Sequence, residues 1–389
     1  MLINQRERET LTELVGIDSV NPMADPTHRG EQAIVDYLAD LCRKLGLEVE
    51  LHEVAPGRPN LLAHLKARQP RGRIMFVAHT DTVPPGDMPD PFTARVVDGR
   101  LIGRGACDDK GCIVSMLAAL EQLAARRDEL GVDVIFAAVI DEERESAGAK
   151  ALAAMDLPCD GAVILEGTSL NPVAAHRGSA RLRMHVLGRA AHSSRPDLGI
   201  NAIFHAAEII HYLDTTYREA LLSRRHPLAG SPSVAVTRIQ GGVTGNMIPP
   251  ACSFTINRRF LPGETQARVR AELEAVVSDL QRTFPDLDTA PLEMEDWDEA
   301  LDTAPDAPIA QVALAAVRAV CASGELVGAP WGSDAPIIAN QGVPCVVLGP
   351  GSVAEEGHTL HESVPLDEVV TAARIYAEIA LRFADFLPD

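Results

Sequence analysis

IMFVAHTD, residues 74–81, is apolar at five successive positions and then stops at His79, Thr80 and Asp81. A strand with one wet face would alternate polar and apolar residues. An unbroken Val- and Ile-type run reads instead as a strand buried on both faces, the kind found in parallel sheets. Three further runs end in the same way: VIFAAVI (134–140) at Asp141-Glu142-Glu143, AVIL (162–165) at Glu166, and CVVL (345–348) at Gly349-Pro350-Gly351. In open α/β sheets ligands bind at the carboxyl ends of the strands. Three of these strands therefore aim metal-type ligands at one crevice, and the fourth brings a glycine turn there. The pattern predicts an enzyme with a metal centre.

Outward from these runs, helical periodicity covers residues 6–17 and 30–45, the second stretch closing at Gly46. LEVELHEV (47–54) and NLLAHLKA (60–67) read as strands. A helix over about 111–127 carries Ile113, Met116, Leu117, Leu120 and Leu123 on one face. This alternation predicts a mainly parallel α/β sheet covered by helices. Near Gly178 the character changes. SARLRMHVLG and ACSFTINRRF alternate polar and apolar residues, with helices over about 201–216 and 265–283. That order predicts an inserted α+β two-layer sandwich with one solvated sheet face. After DTAPDAP the parallel signature returns. The expected division is residues 1–177 with 298–389 as catalytic domain, and 178–297 as the insert.

The chain has 389 residues, a length that suggests about two cores, and a formal charge of −20. That charge argues against nucleic acid or an anionic membrane as partner, since both require a basic footprint. Seven scattered cysteines lack zinc-ribbon spacing and read as reduced thiols, and the N-terminus MLINQRERETLTELVGI has no apolar core of a signal peptide. The expected location is the cytoplasm.

His79 and Asp81 point the same way if the chain stays extended, so one can ligate while the other orients it. GRGACDDKG (103–111) surrounds two carboxylates with glycines ahead of an apolar helix; Asp108 or Asp109 could bridge two cations, or cap the helix. It lacks phosphate-loop spacing, and its acidic centre repels phosphate. On an extended Asp141-Glu142-Glu143 segment one glutamate would face a metal and its neighbour the substrate, as a base. Near the C-terminus either His358 or His361 could ligate. Imidazoles and carboxylates without sulfur suit two zinc ions, with cobalt or manganese as alternatives.

SVNP, HTDTVP, GRGACDDKG, DEE, GRAAHSSRPDLGINAI, GNMIP, RRFLPGE, GSDA, GPG and HTLHE succeed one another along nearly the whole chain. In that order they resemble the dinuclear zinc amidohydrolases that include acetylornithine deacetylase, succinyl-diaminopimelate desuccinylase, aminoacylase and bacterial glutamate carboxypeptidase. The resemblance implies His79, Asp108 and Glu166 on one zinc, and Asp108, Glu143 and His358 on the other, with Asp108 bridging. It implies Glu142 as catalytic base and Asp81 as support for His79. It also implies His192 as an oxyanion-stabilising histidine lent across a homodimer interface of the inserted domain, with Asn246, Arg259 and Gly349 at the substrate. His358 is preferred over His361 because the family's ligand lies four residues before a glutamate, here Glu362. Two departures stand out: Glu166 precedes Gly-Thr where relatives often have Pro-Thr, and His361 is a spare ligand.

The implied reaction is metal-dependent hydrolysis of an N-acyl amino acid. A dipeptidase or carboxypeptidase acting on a short peptide would use the same chemistry. A non-catalytic dimeric binding protein would have no need for acids at every inferred position.

Overall fold

In the computed structural model of the chain, residues 5–388 are described. They fall into two compact units: one runs to Ala174 and includes Thr303–Val327 and the chain from Ser333 onward, and the other comprises Ala175–Asp302 with Gly328–Gly332.

In the first unit the four apolar runs form neighbouring strands in the order Asp133–Val139, Arg73–His79, Gly161–Ile164, Cys345–Val347, each parallel to the next. His79 lies beside Val139, and Val77 and Val347 both lie beside Ile164, so the four carboxyl ends finish at one edge. Antiparallel strands extend the sheet: Arg58–Leu65 against Asp133–Val139, then Glu48–Ala55, and Val173 against Val347 on the far side. The result is a mixed sheet with a parallel centre, flanked by helices.

The unbroken apolar runs are explained by burial on both faces. Ile74, Phe76 and Ala78 join Val134, Phe136, Val163 and Val346 in the core under Gln32–Lys44, Gly111–Ala125, Pro308–Cys321 and Leu366–Arg382. Met75, of opposite parity, is 3 % exposed and lines the other side of the sheet together with Leu152 and Ile338 of the helices Ala147–Ala154 and Ala335–Ala339. Removing a side chain such as Phe76 from water contributes roughly 1.5–3 kcal/mol, so period-two alternation would forfeit one layer. Gln32–Lys44 ends as expected at Gly46: Gly46 N–H donates to Arg43 O at 2.9 Å and Leu47 N–H to Cys42 O at 3.1 Å, with φ 77° at the glycine.

The second unit is an antiparallel sheet in the order Ser233–Gly241, Ala251–Phe260, Gly178–Leu187, then Asp288–Thr289 and Glu293–Asp298. Ala180, Leu182, Met184 and Val186 point into a core with Ile209, Val269 and Leu273, while residues between them stay wetter. Its helices begin at side-chain caps. Asn201 Oδ1 accepts from Ile203 and Phe204 N–H, and Thr265 Oγ1 accepts from Arg268 N–H. Among the described residues no helix is long and apolar enough to cross a membrane.

Candidate metal centre

Each strand end places its side chain by a local device. His79, 3 % exposed, has Nδ1 3.0 Å from the Asp81 carbonyl oxygen. That oxygen can only accept, so Nδ1 carries the hydrogen and Nε2 is left for a cation. Nε2 lies 2.8 Å from Asp108 Oδ1 and 3.6 Å from Glu166 Oε1.

Asp81 thus supports His79 through its backbone more closely than through its carboxylate, whose Oδ1 is 3.5 Å away. The carboxylate is spent on the neighbouring strand end: Oδ1 accepts from Glu142 N–H at 3.0 Å, and Oδ2 from Glu143 N–H at 3.2 Å.

Asp108 sits in GRGACDDKG, where Ala106–Lys110 forms a wide helical turn before the helix Gly111–Ala125. Neither Asp108 nor Asp109 caps that helix by a side-chain hydrogen bond. The loop is held from outside by Glu362. Its carboxylate accepts from Gly105, Cys107 and Asp108 N–H at 3.1, 3.0 and 3.1 Å, and from Arg104 Nη1 at 2.5 Å. The Asp108–Asp109 peptide is cis.

So held, Asp108 turns one oxygen to each imidazole: Oδ1 to His79, and Oδ2 to His358 Nε2 at 3.3 Å. His358 Nε2 is also 3.0 Å from Glu143 Oε2. His361 lies on the exposed surface and outside both clusters.

The extended geometry expected for Asp141-Glu142-Glu143 is not found. Asp141 has φ 68°, and Ser146 N–H donates back to its carbonyl at 2.7 Å. The chain turns here, so both glutamates reach the same site: His79, Glu142 and Glu166 bring ligand atoms within 4.8 Å of one another, as do Asp108, Glu143 and His358. Strand alternation therefore does not send the two glutamates to opposite sides; the turn at Asp141 carries both into the crevice.

The electrostatics suit a divalent cation. Burial, and then the neighbouring carboxylates, raise Glu142 and Glu166 well above the ordinary glutamate value, and burial and Asp108 push Glu143 up to about 7. His358 is raised to about 10 by its hydrogen bonds to Asp108 and Glu143. Acids held protonated and an imidazole held charged are what crowded ligands do when protons take the place of metal. Cys107 and Cys112 are buried nearby but belong to neither ligand group, which leaves a nitrogen and oxygen donor set.

Gly349 is buried where a Cβ would lie 2.5 Å from both Cys112 Sγ and Glu166 O, and its N–H goes to Thr168 Oγ1 at 3.1 Å. The remaining predicted residues belong to the second unit. His192 is exposed on the short strand Ala191–His192, paired with Met247–Ile248, and Ser193 N–H donates to Asn246 O at 2.9 Å. Arg259 lies on Ala251–Phe260, where burial lowers its proton affinity.

The roles of Asn21, Glu31, Arg58 and Glu362 were not legible in the sequence. SVNP and HTLHE marked two of these places without indicating what the side chains hold.

The sequence model of the family described as Peptidase family M20/M25/M40 matches residues 75–382. Acetylornithine deacetylase of Myxococcus xanthus is 31% identical over 388 residues, 97% of either chain. Among solved structures, aminopeptidase PepT of Bacillus cereus superposes with a TM-score of 0.79 at 24% identity, covering 99% of this chain and 100% of that one. YXEP of Bacillus subtilis, described as a dinuclear metal binding peptidase from the M20 family, superposes with a TM-score of 0.75 at 17% identity over 98% of both chains.

Proposed function

The chain belongs to the M20/M25/M40 peptidase family, and from that premise we propose that it hydrolyses the amide bond of an N-acyl amino acid, as a deacylase of the acetylornithine deacetylase and succinyl-diaminopimelate desuccinylase kind. The observation that carries the reading is Asp108 suspended between His79 and His358, with Glu142 beside the same cluster. His79, Asp108 and Glu166 would hold one zinc ion and Asp108, Glu143 and His358 the other, with cobalt or manganese as alternatives. Bound there, such ions polarise a carbonyl and acidify water.

Glu142 takes a proton from the attacking water and delivers it to the amide nitrogen as the carbon–nitrogen bond breaks, leaving a carboxylic acid and a free amine. Asp81 holds the Glu142 backbone rather than touching substrate.

In the inserted dimerisation unit, His192 Nδ1 accepts from Ser194 N–H at 3.1 Å, so its hydrogen stands on Nε2, free to donate. We assign it to the oxyanion of a second copy's substrate. Arg259 offers a planar fork to the substrate carboxylate, with Asn246 and Gly349 as further contacts. A homodimer is supported by the outermost strand Ser233–Gly241 and by the exposure of Ile239, Val243 and Phe204 at 55, 75 and 70 %. Seven free cysteines favour the cytoplasm.

The test offers the zinc-loaded protein a mixed panel of N-acyl amino acids and dipeptides and measures free amine. Faster release from the acyl amino acids is expected. Preference for dipeptides would move the reading to the peptidase alternative, and no release by fully loaded protein would end it.

A further inference from the structure

Behind the catalytic glutamate lies a buried polar chain that the reaction does not use. Arg58 Nε and Nη2 clamp Glu31 at 2.7 and 2.5 Å, and Nη2 continues to Asp141 Oδ1 at 3.0 Å. Asn21 Nδ2 spends its two hydrogens on two carboxylates, Asp141 Oδ1 at 2.9 Å and Asp81 Oδ2 at 2.8 Å. Asp81 in turn accepts the N–H groups of Glu142 and Glu143. Glu31, Asn21, Asp81 and Asp141 are 0–2 % exposed and Arg58 is 8 % exposed.

The chain has a direction. Glu31 stands at the start of the helix Gln32–Lys44 and Arg58 opens the strand Arg58–Leu65, so both are anchored in the rigid body of the unit. Glu142 and Glu143 stand on a turn whose first residue, Asp141, is a non-glycine with positive φ. Such a conformation is sparsely populated even for aspartate, and side-chain partners that hold it fix the course of the turn. Here the partners are two donors to Asp141 Oδ1 together with Ala147 N–H, 3.4 Å from Oδ2.

We propose that Arg58 and Asn21 are positioning residues for Glu142, with Glu31 holding the Arg58 fork in place. This rests on the reading of Glu142 as the base. The pair fixes the Asp141 turn and the Asp81 carboxylate together, and so sets where the Glu142 backbone stands. Arginine suits the place because its planar fork holds Glu31 through Nε and Nη2 while Nη2 also reaches Asp141, a bidentate geometry that an ammonium does not reproduce.

Arg58→Met alone strands the Glu31 charge in the interior, so the test uses Arg58→Met with Glu31→Met, which removes both charges. Arg58→Lys and Glu142→Ala are measured beside it. The readouts are bound metal, KM, kcat and, on metal-free protein, hydrogen exchange at the Glu142 and Glu143 amides.

In the double variant we expect full metal content, KM within ~2-fold, kcat lowered ~10- to 100-fold by misplacement of the base, and ~10-fold faster exchange at the two amides. Arg58→Lys should fall between the double variant and the parent in both readouts, and it decides the matter if the double variant does not fold. Unchanged amide exchange with unchanged kcat would overturn the proposal, as would a kcat loss that only tracks lost metal. If Glu142→Ala keeps near-normal turnover, the functional reading fails, and amide exchange still decides whether Arg58, held by Glu31, fixes the turn.

Discussion

At the residue scale two adjacent acids meet different partners: Glu143 lies 3.0 Å from His358, and Glu142 falls with His79 and Glu166. Glu142→Ala should keep its metal and lose on the order of 10² to 10⁴ in turnover, the scale of a general acid–base group; metal analysis beside a kcat measurement checks it. His358→Ala should lose metal by the same analysis while His361→Ala retains it, because only His358 faces Asp108 and Glu143. The raised groups also set a pH dependence. Glu143 titrates near 4.5 when unfolded and about 7 when folded, and His358 near 6.5 and about 10. In both windows the native, metal-free protein holds a proton that the unfolded chain has released, so rising pH removes stability. Asp81 and Asp108 are lowered from 3.8, and their stabilisation is lost only at more acid pH. The Tm of metal-free protein should therefore fall from pH 6.5 to 8, the interval in which His176, lowered to about 4, and Lys110, lowered to about 8, add no opposing change, and saturating zinc should offset the fall as the ligands deprotonate. A metal-free Tm that rises with pH across that interval would contradict this protonation pattern.

At the scale of elements two glycines are constrained for different reasons. Gly46 ends its helix at φ 77° with nothing within 4 Å of a would-be Cβ, so Gly46→Ala should cost about 1–2 kcal/mol from backbone conformation alone and leave kcat unchanged. At Gly349 the methyl group would meet the Glu166 backbone and the Cys112 sulfur at 2.5 Å. Gly349→Ala should cost about 1–3 kcal/mol through overpacking and, by pressing on Glu166, lower metal affinity as well. Denaturant melts with metal titrations separate the two. The helix Gly111–Ala125 carries a related lesson. Its apolar residues predicted one packed face, but Cys112, Val114 and Ser115 are also buried because the Leu366–Arg382 helix and the Glu362-anchored loop cover its start.

At the scale of the whole molecule, the proposed homodimer would form along the outermost strand Ser233–Gly241 and the turn after it. Charging these with Ile239→Lys and Val243→Asp should yield monomers in sedimentation, with turnover falling while metal content is unchanged; a fully active monomer would remove His192 from the oxyanion role. The strands could be read from sequence because burial on both faces and on one face leave different periods, as IMFVA and SARLRMHVLG show. The acids and histidines at the ends of the runs marked one sheet edge for the same reason: parallel strands deliver the residues at their carboxyl ends to a common side. Local sequence alone determined that much. The family resemblance already favoured His358 over His361, and the structure sets His358 3.3 Å from Asp108; only the tertiary structure decided that Asp141 turns instead of continuing the strand, that Glu362 anchors the glycine-rich loop, and that Arg58, clamped on Glu31, and Asn21 bond to Asp141. Apart from the local turn at Asp141, these contacts join residues 27 to 258 positions apart, and no periodicity within a segment encodes a hydrogen bond whose partner comes from another.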